Sequence, residues 1–261
     1  MVAKTVSAVV PVYREEKNAV NVIVSLLNSG MVFEVVCVVD EPTVNCLKML
    51  RSLADKIKLI TFKKCRGKGR ALASGVRASR GEIVMFLDSD LIGLSEKNVS
   101  ALLAPVLSGR YRISVGAPLA ELKNVFGKWV PAITGDRVYH RVDLLAHLTK
   151  MAKKGYGVEL FLSQVFKKEK NKIVPLIGVI NPYKEEKWST AVALKRYLTA
   201  AADLLQELGR AEIKPPVKIK TLAELTTKIE ELGNRDVKEV FQKYFLRYLD
   251  YAKKLTPKIK I

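Results

Sequence analysis

In the first 90 residues of this chain, four short apolar runs alternate with segments of helical periodicity. The apolar runs cover residues 6–12, 33–39, 57–62 and 82–87, and the helical segments cover residues 16–28, about 44–54 and 68–79. The runs are mostly apolar rather than alternating, with Glu34 the polar residue of the second run, as is typical of strands that are buried on both faces of a parallel sheet. The pattern therefore predicts an α/β fold with helices on both faces of a mostly parallel sheet.

Polar side chains and glycines follow each of the four predicted strands. Ligands of such sheets bind beyond the carboxyl ends of the strands, so these residues form a candidate site. Asp and Gly are common wherever strands end, which makes any one of them weak evidence. Together they suit a phosphorylated nucleotide and a divalent metal. The residues are Pro11, Tyr13, Glu15, Asp40, Gly67, Lys68, Asp88 and Asp90.

Asp88 and Asp90 are the candidate metal ligands. Two carboxylates separated by one residue after a buried strand can place oxygens around Mg²⁺ or Mn²⁺, which prefer oxygen ligands and often keep phosphate oxygens as well. The alternative is an ordinary strand-ending turn. A basic loop predicted at the same edge favours the metal site.

That basic loop belongs to the most strongly charged stretch of the chain. The whole protein has 45 Lys and Arg against 26 Asp and Glu, a formal charge of +19, and residues 56–81 hold nine basic side chains and no acid. A solvated face would explain such a cluster equally well for an arbitrary sequence. Its position at a strand end favours an anionic ligand, because cations and backbone amides at the start of a helix can neutralise a pyrophosphate. The spacing of a Walker loop and a GxGxxG turn are both absent, which disfavours a P-loop nucleotidase and a nicotinamide or flavin site.

Four segments, residues 10–16, 38–40, 66–75 and 86–90, resemble the nucleotide-sugar half of glycosyltransferase family 2, which has the GT-A fold. One departure is Glu41-Pro42, where the family often has Asp followed by Gly or Ser. The resemblance implies roles for the strand-end residues. They are a nucleoside site at Pro11, Tyr13, Glu15 and Asp40, a base or diphosphate contact at Gly67 and Lys68, and a metal-bound diphosphate at Asp88 and Asp90.

Two later segments, Thr134 to Arg141 and Gly155 to Glu159, resemble the acceptor side of polyprenyl-phosphate sugar synthases and glucosyl-3-phosphoglycerate synthases. Both kinds of acceptor bear a phosphate. The resemblance implies an acceptor site at Gly135, Arg137 and Gly157, and a catalytic role for Asp136 or Glu159 as a base or as an orienting group. Glu159 could instead cap the helix that follows it.

Histidines do not add to the predicted site. His140 and His147 lack a third ligand at metal-binding spacing, so they are expected at the surface or in packing. The phosphoglycerate enzymes have a metal-binding His after the last strand, whereas residues 178–183 here contain none, which favours the polyprenyl-phosphate type.

The sequence predicts two parts: a catalytic domain over residues 1–187, divided at residue 90 into nucleotide and acceptor halves, and a helical region over residues 188–261. Helices are expected at about residues 191–208, 222–232 and 237–255. A packed helical cap is the favoured role for this region. A homodimer contact and a basic surface on anionic lipid stay open as alternatives.

The expected function is a metal-dependent hexosyltransferase that uses a GDP- or UDP-sugar and a phosphate-bearing acceptor such as polyprenyl phosphate. The alternative acceptor is soluble, as in glucosyl- or mannosyl-3-phosphoglycerate synthases. The charge alone would also suit a nucleic-acid-binding protein, but aromatic residues make up only 7% of the chain and no RNA-recognition or zinc-finger motif occurs. The apolar runs are too short to span a bilayer, and the three cysteines have no metal-ligand spacing. Both observations favour a cytoplasmic protein, and contact with the inner membrane surface stays open.

Overall fold

The computed structural model describes residues 4–13, 15, 17–119 and 134–181. The chain divides into two compact units, Met1–Pro182 and Tyr183–Ile261, and all described residues belong to the first. The predicted domain boundary at residue 187 and the three predicted C-terminal helices lie outside the described residues. Within the described ranges, no helix has the length and apolarity needed to cross a membrane.

Seven strands and seven α-helices form the described part of the first unit. The strands are β1 (Val6–Val12), β2 (Glu34–Asp40), β3 (Ile57–Phe62), β4 (Ile83–Phe86), β5 (Ile113–Pro118), β6 (Arg137–His140) and β7 (Asn171–Leu176). The helices are α1 (Lys17–Asn28), α2 (Val44–Arg51), α3 (Lys68–Ala78), α4 (Glu96–Leu107), α5 (Arg141–Leu145), α6 (Leu148–Met151) and α7 (Val158–Val165), and a 3₁₀ turn covers Gly155–Gly157. All four predicted strands and all three predicted helices of the first 90 residues are present.

The strands form one sheet in the order β3-β2-β1-β4-β6-β5-β7. Every neighbouring pair is parallel except those of β6, which runs antiparallel to both β4 and β5. The prediction of a mostly parallel sheet is therefore confirmed. Because Phe86 pairs with Arg137 at the end of β4, the residues that precede β6 lie beside the residues that follow β4.

Two hydrophobic clusters bury the two faces of the sheet. Val10 and Met85 belong to the cluster that includes helices α1 and α4, whereas Val9 and Phe86 belong to the cluster that includes α3 and α7. Successive residues of a strand point to opposite faces, so a strand covered on both sides is expected to be mostly apolar rather than alternating. This double burial explains the mostly apolar runs and leaves the strand ends as the place for polar chemistry.

The chain after Asp90 is anchored on both sides. Ser95 and Asn98 form a capping box at the start of α4, and the Asn98 amide also donates a hydrogen bond to the carbonyl of Ile177 (3.1 Å). Ile92 and Ile180 exchange backbone hydrogen bonds of 2.9 Å. These contacts fix the direction in which the chain leaves the Asp88-Ser89-Asp90 turn.

Candidate active site

Asp40, at the end of β2, organises the basic loop. Its buried carboxylate accepts hydrogen bonds from the backbone N–H groups of Arg66 (2.7 Å) and Gly67 (2.7 Å), and the Cys65 thiol lies 3.5 Å from it. Gly67 has a φ of 84°, a left-handed conformation that glycine adopts without steric cost. Asp40 therefore fixes the loop from which α3 begins, and its predicted contact with a nucleoside stays a prediction.

Lys68, the first residue of α3, links the two predicted halves of the site. Its Nζ lies 2.7 Å from Asp88 Oδ1 and 2.5 Å from Glu159 Oε1. Burial alone would lower the pKa of Lys68, but the charges of Asp88 and Glu159 and the hydrogen bonds to them outweigh burial and raise that pKa well above its ordinary value. Lys68 is therefore held as a cation between Asp88, which is predicted for the donor side, and Glu159, which is predicted for the acceptor side.

The segment before β6 supports Asp88 from behind. A Cβ atom at Gly135 would overlap both carboxylate oxygens of Asp88 and lie 2.7 Å from its Cγ, so a larger residue there would have to displace the Asp88 carboxylate. The next residue, Asp136, accepts a hydrogen bond from the backbone N–H of Asp88 (3.1 Å). The two residues predicted for the acceptor side thus set the position of a predicted metal ligand.

Asp136 is almost fully buried, with 1% of its surface exposed. Burial is the main reason that its pKa is raised well above the ordinary value, and the negative charges of Asp88 and Asp90 raise it further. The hydrogen bond from Asp88 and the charge of Lys68 act in the opposite direction without cancelling the rise. The site therefore concentrates more carboxylates than its lysine can balance.

This donor set fits a hard divalent cation, because it offers carboxylate oxygens in an electronegative site. In the part of the chain that the structure describes, no group of three or more His, Cys, Asp or Glu side chains could hold a metal ion by itself. Mg²⁺ commonly binds one or two carboxylates together with substrate phosphates. Asp88 and Asp90 therefore fit a cation that is bound jointly with a phosphorylated ligand.

The Gly155–Gly157 turn packs against the basic loop. A Cβ atom at Gly69 would overlap the backbone oxygen of Met151, and the Cβ position of Gly67 lies 3.6 Å from the Gly155 Cα. This close approach lets Glu159, in the first turn of α7, reach Lys68. The N-cap residue of helix α7 is Gly157 and Glu159 lies in the first turn, so the capping role that the sequence left open for Glu159 stays a prediction.

Arg137 is buried in the protein interior, with 2% of its surface exposed. Its guanidinium donates hydrogen bonds to the carbonyl of Thr134 (2.8 Å), to Ser163 Oγ (2.9 Å) and to the Tyr139 hydroxyl (3.2 Å). These bonds tie β6 to α7 and to the start of its own segment. The predicted fork of Arg137 around an acceptor phosphate stays a prediction.

A family model described as glycosyl transferase family 2 matches residues 7–145, which is more than half of the chain. The chain belongs to glycosyltransferase family 2. Two similar family members are glucosyl-3-phosphoglycerate synthases. The protein of Mycolicibacterium paratuberculosis is 34% identical over 115 residues, covering 41% of this chain and 34% of the relative. That of Mycobacterium tuberculosis (strain H37Rv) is 32% identical over 115 residues, covering 41% and 35%. The chain thus spans about a third of the length of these curated relatives.

Solved structures show the same fold. A glucosyl-3-phosphoglycerate synthase from Mycobacterium tuberculosis, in complex with Mn²⁺, UDP and phosphoglyceric acid, has a TM-score of 0.56 and 24% identity and covers 77% of this chain and 78% of its own. A second structure, called a mycobacterial protein, has a TM-score of 0.60 and 25% identity and covers 79% and 75%. The GT-A fold expected from the sequence is confirmed.

Glu41 is a family 2 departure with a structural consequence that sequence reasoning missed. Among the described residues, Glu41 is the one non-glycine residue with a positive φ, 57°. Its carboxylate accepts a hydrogen bond from the Tyr13 hydroxyl (3.1 Å). Family members often have Asp followed by Gly or Ser at this point, whereas this chain has Glu41-Pro42. This departure from the family pattern was the signal in the sequence that the backbone at Glu41 differs, but residue type alone does not predict a φ angle.

Proposed function

We propose that this protein is a metal-dependent glycosyltransferase that moves a hexose from a nucleotide diphosphate sugar to a phosphate-bearing acceptor. The observation that carries the proposal is the environment of Asp88 at the end of β4. Lys68 of the basic loop pairs with it, and Gly135 and Asp136 support it from the neighbouring segment. Membership of glycosyltransferase family 2 supports the same activity.

The charges of the site suit a diphosphate leaving group. Asp88 and Asp90 would hold Mg²⁺ or Mn²⁺, whose positive charge would offset the negative charge that develops on the diphosphate. Lys68 and the backbone N–H groups at the start of α3 add positive potential on the same side. Asp40 serves this arrangement by fixing the loop, because it accepts hydrogen bonds from the N–H groups of Arg66 and Gly67.

A uridine nucleotide is the donor that we propose. The Mycobacterium tuberculosis synthase was crystallised with UDP-glucose and Mn²⁺ and with UDP and Mg²⁺, which supports UDP-sugar over GDP-sugar. The nucleoside would lie at the ends of β1 and β2, a region lined by Pro11, Tyr13, Glu15 and Asp40.

A small phosphorylated hydroxy acid is the acceptor that we propose. The curated relatives are glucosyl-3-phosphoglycerate synthases, which favours the soluble acceptor over polyprenyl phosphate, the sequence-based first choice. A hydroxyl nucleophile must lose a proton, so Asp136 or Glu159 would orient it or act as the base. Gly135, Arg137 and Gly157 belong to the segments proposed to form this acceptor side.

The domain organisation is part of the proposal. Residues 1–187 would form the catalytic domain, and residues 188–261 would form a separate helical region. The family match at residues 7–145 falls wholly inside the proposed catalytic domain.

Ligand-induced thermal stabilisation and product formation test this proposal together. UDP and UDP-glucose with Mn²⁺ should raise the melting temperature, whereas GDP, and UMP without a second phosphate, should do so much less. UDP-glucose should then be consumed with 3-phosphoglycerate and not with a polyprenyl phosphate. Stabilisation by no nucleotide under any metal condition would overturn the activity; turnover only with polyprenyl phosphate would overturn the proposed acceptor.

A further inference from the structure

We propose that Lys68 is an internal counter-ion of Asp88 that makes cation binding depend on a bound nucleotide diphosphate. The inference rests on the proposed function, since it concerns the same metal and donor. It assigns Lys68 a positioning and gating role in addition to its predicted contact with the base or diphosphate.

The ion pair occupies the carboxylate that a cation would use. Lys68 Nζ lies 2.7 Å from Asp88 Oδ1, and both side chains are largely buried, with 18% of each exposed. An ammonium group at that distance competes with a divalent cation for the same oxygen and also repels the cation, because like charges a few ångströms apart interact strongly when partly shielded from water. Free Mg²⁺ or Mn²⁺ should therefore bind weakly.

A diphosphate removes this obstacle by offering the ammonium another anion. The backbone of Lys68 is fixed, because Asp40 holds the preceding loop and Gly67 and Gly69 pack closely against residues 151–155. Its four-carbon side chain can still turn while the backbone stays in place. With the ammonium shared with phosphate oxygens, Asp88 becomes available to the cation, and the phosphates supply the ligands that the described residues lack.

Glu159 lowers the energetic cost of moving the Lys68 ammonium from Asp88 to the diphosphate. Its Oε1 lies 2.5 Å from Lys68 Nζ, so the ammonium keeps one carboxylate partner when it leaves Asp88. The Lys68–Glu159 pair also connects the donor site to the Gly155–Gly157 turn. Thermodynamic reciprocity requires that a nucleotide which strengthens cation binding is itself bound more tightly in the presence of the cation, by the same factor.

Direct measurement of Mn²⁺ binding to the full chain, by calorimetry or by electron paramagnetic resonance of the free ion, tests this role. Lys68→Met should bind Mn²⁺ without nucleotide about tenfold more tightly than the wild type, as expected for removal of one close positive charge. The enhancement of Mn²⁺ affinity by UDP should shrink by a similar factor. Lys68→Arg, which keeps the charge, should resemble the wild type.

Lys64→Met is the matched control, since Lys64 is an exposed residue of the same loop and its loss changes the net charge equally. It should alter the Mn²⁺ affinity less than twofold, roughly the size expected for an exposed, screened charge. Lys68→Gln, which removes the charge and keeps a polar side chain, provides the same test if Lys68→Met does not fold.

Unchanged or weaker Mn²⁺ binding by the uncharged Lys68 variants would overturn the counter-ion role and leave Lys68 as a structural link. That failure is distinguishable from failure of the proposed function. In the first case the wild type still binds UDP together with Mn²⁺, whereas in the second case it binds UDP under no condition.

Discussion

The proposed donor side and the proposed acceptor side of the site differ in how far their charged groups reach solvent. Asp88 and Lys68, at the carboxyl end of β4 and the start of α3, each keep 18% of their side-chain surface exposed. Asp136 and Arg137, in the segment that resembles an acceptor motif, expose only 1% and 2% of their whole-residue surface. The donor-side pair can therefore meet a ligand directly, whereas the acceptor-side pair is bonded to the protein.

This difference shows what the acceptor-side segment does in the described structure. Gly135 leaves room for the Asp88 carboxylate, Asp136 holds the Asp88 backbone, and Glu159 pairs with Lys68. Each of these contacts acts on a donor-side residue. Substitutions on the acceptor side should therefore disturb donor and metal binding, and variants of the two sides test that expectation.

Asp88→Ala should have the largest effect, because Asp88 is the partly exposed carboxylate on which the other contacts converge. We expect kcat/KM with the UDP-sugar and Mn²⁺ to fall by about 10³-fold, the order of loss seen when a main electrostatic contact to the leaving group is removed. Asp143→Ala, which breaks a partly exposed ion pair with Arg112, is the control and should stay within about twofold of the wild type. Asp88→Ala activity within a few-fold of the wild type would refute the metal assignment.

Gly135→Ala should have the next largest effect and directly tests the link between the two sides. The added methyl group overlaps the Asp88 carboxylate, so the variant should lose about 2 kcal/mol of stability and also bind Mn²⁺ with UDP much more weakly. Calorimetric titration and thermal melts measure the two effects. Gly109→Ala is a useful contrast, because Gly109 has a φ of 70° and open space, so its variant should lose about 1 kcal/mol from backbone strain alone and keep its ligand affinity. Equal ligand affinity in both variants would contradict the proposed support of Asp88.

The first half of the fold could be predicted from local sequence because its signal is local. The four runs of the first 90 residues are mostly apolar, with few polar positions, and the helical segments between them have their own periodicity. The later strands gave no comparable signal. Strand β6 has only four residues, and its antiparallel place between β4 and β5 depends on pairings such as Met85 with Val138, which no local pattern encodes.

That the strand-end residues lie together was predictable, whereas the partners of their side chains were not. The carboxyl ends of parallel strands meet at one edge, which is sufficient to bring Lys68 and Asp88 together. Asp40 accepts hydrogen bonds from backbone amides 26 and 27 residues away, and Arg137 donates a hydrogen bond to Ser163. Buried polar groups form hydrogen bonds with the partners that the packing places next to them. Such choices depend on tertiary packing rather than on residue type.

Asp136→Asn should have a moderate effect on stability and, unlike Gly135→Ala, should make the folded protein more stable. Because burial raises the pKa of Asp136 in the folded protein, the folded state binds more protons than the unfolded state between the ordinary pKa and the raised one, and stability falls as pH increases through that window. Asparagine does not titrate and can still accept the hydrogen bond from Asp88. Thermal melts in chelator should show a gain of roughly a few °C near pH 7 that shrinks toward pH 4.

Asp143→Asn is the matched control for this pH profile, since it removes the same charge from a partly exposed pair with Arg112. It should not raise the melting temperature at any pH. If the difference in melting temperature between Asp136→Asn and the wild type did not change with pH, ionisation of the buried Asp136 carboxyl would not be what destabilises the folded protein.

Glu41 should show the smallest effect, and its two variants separate backbone strain from a hydrogen bond. Glu41→Ala loses the bond from the Tyr13 hydroxyl and keeps the left-handed backbone, whereas Glu41→Gly loses the same bond and relieves about 1 kcal/mol of strain. Denaturant unfolding should therefore find the glycine variant more stable than the alanine variant by about that amount. At positions with a negative φ, a glycine variant is less stable than an alanine variant, because glycine loses more backbone entropy on folding. A lower stability for Glu41→Gly than for Glu41→Ala would show that the strand end relaxes out of the left-handed region, and would place the family 2 departure at Glu41-Pro42 in an ordinary turn.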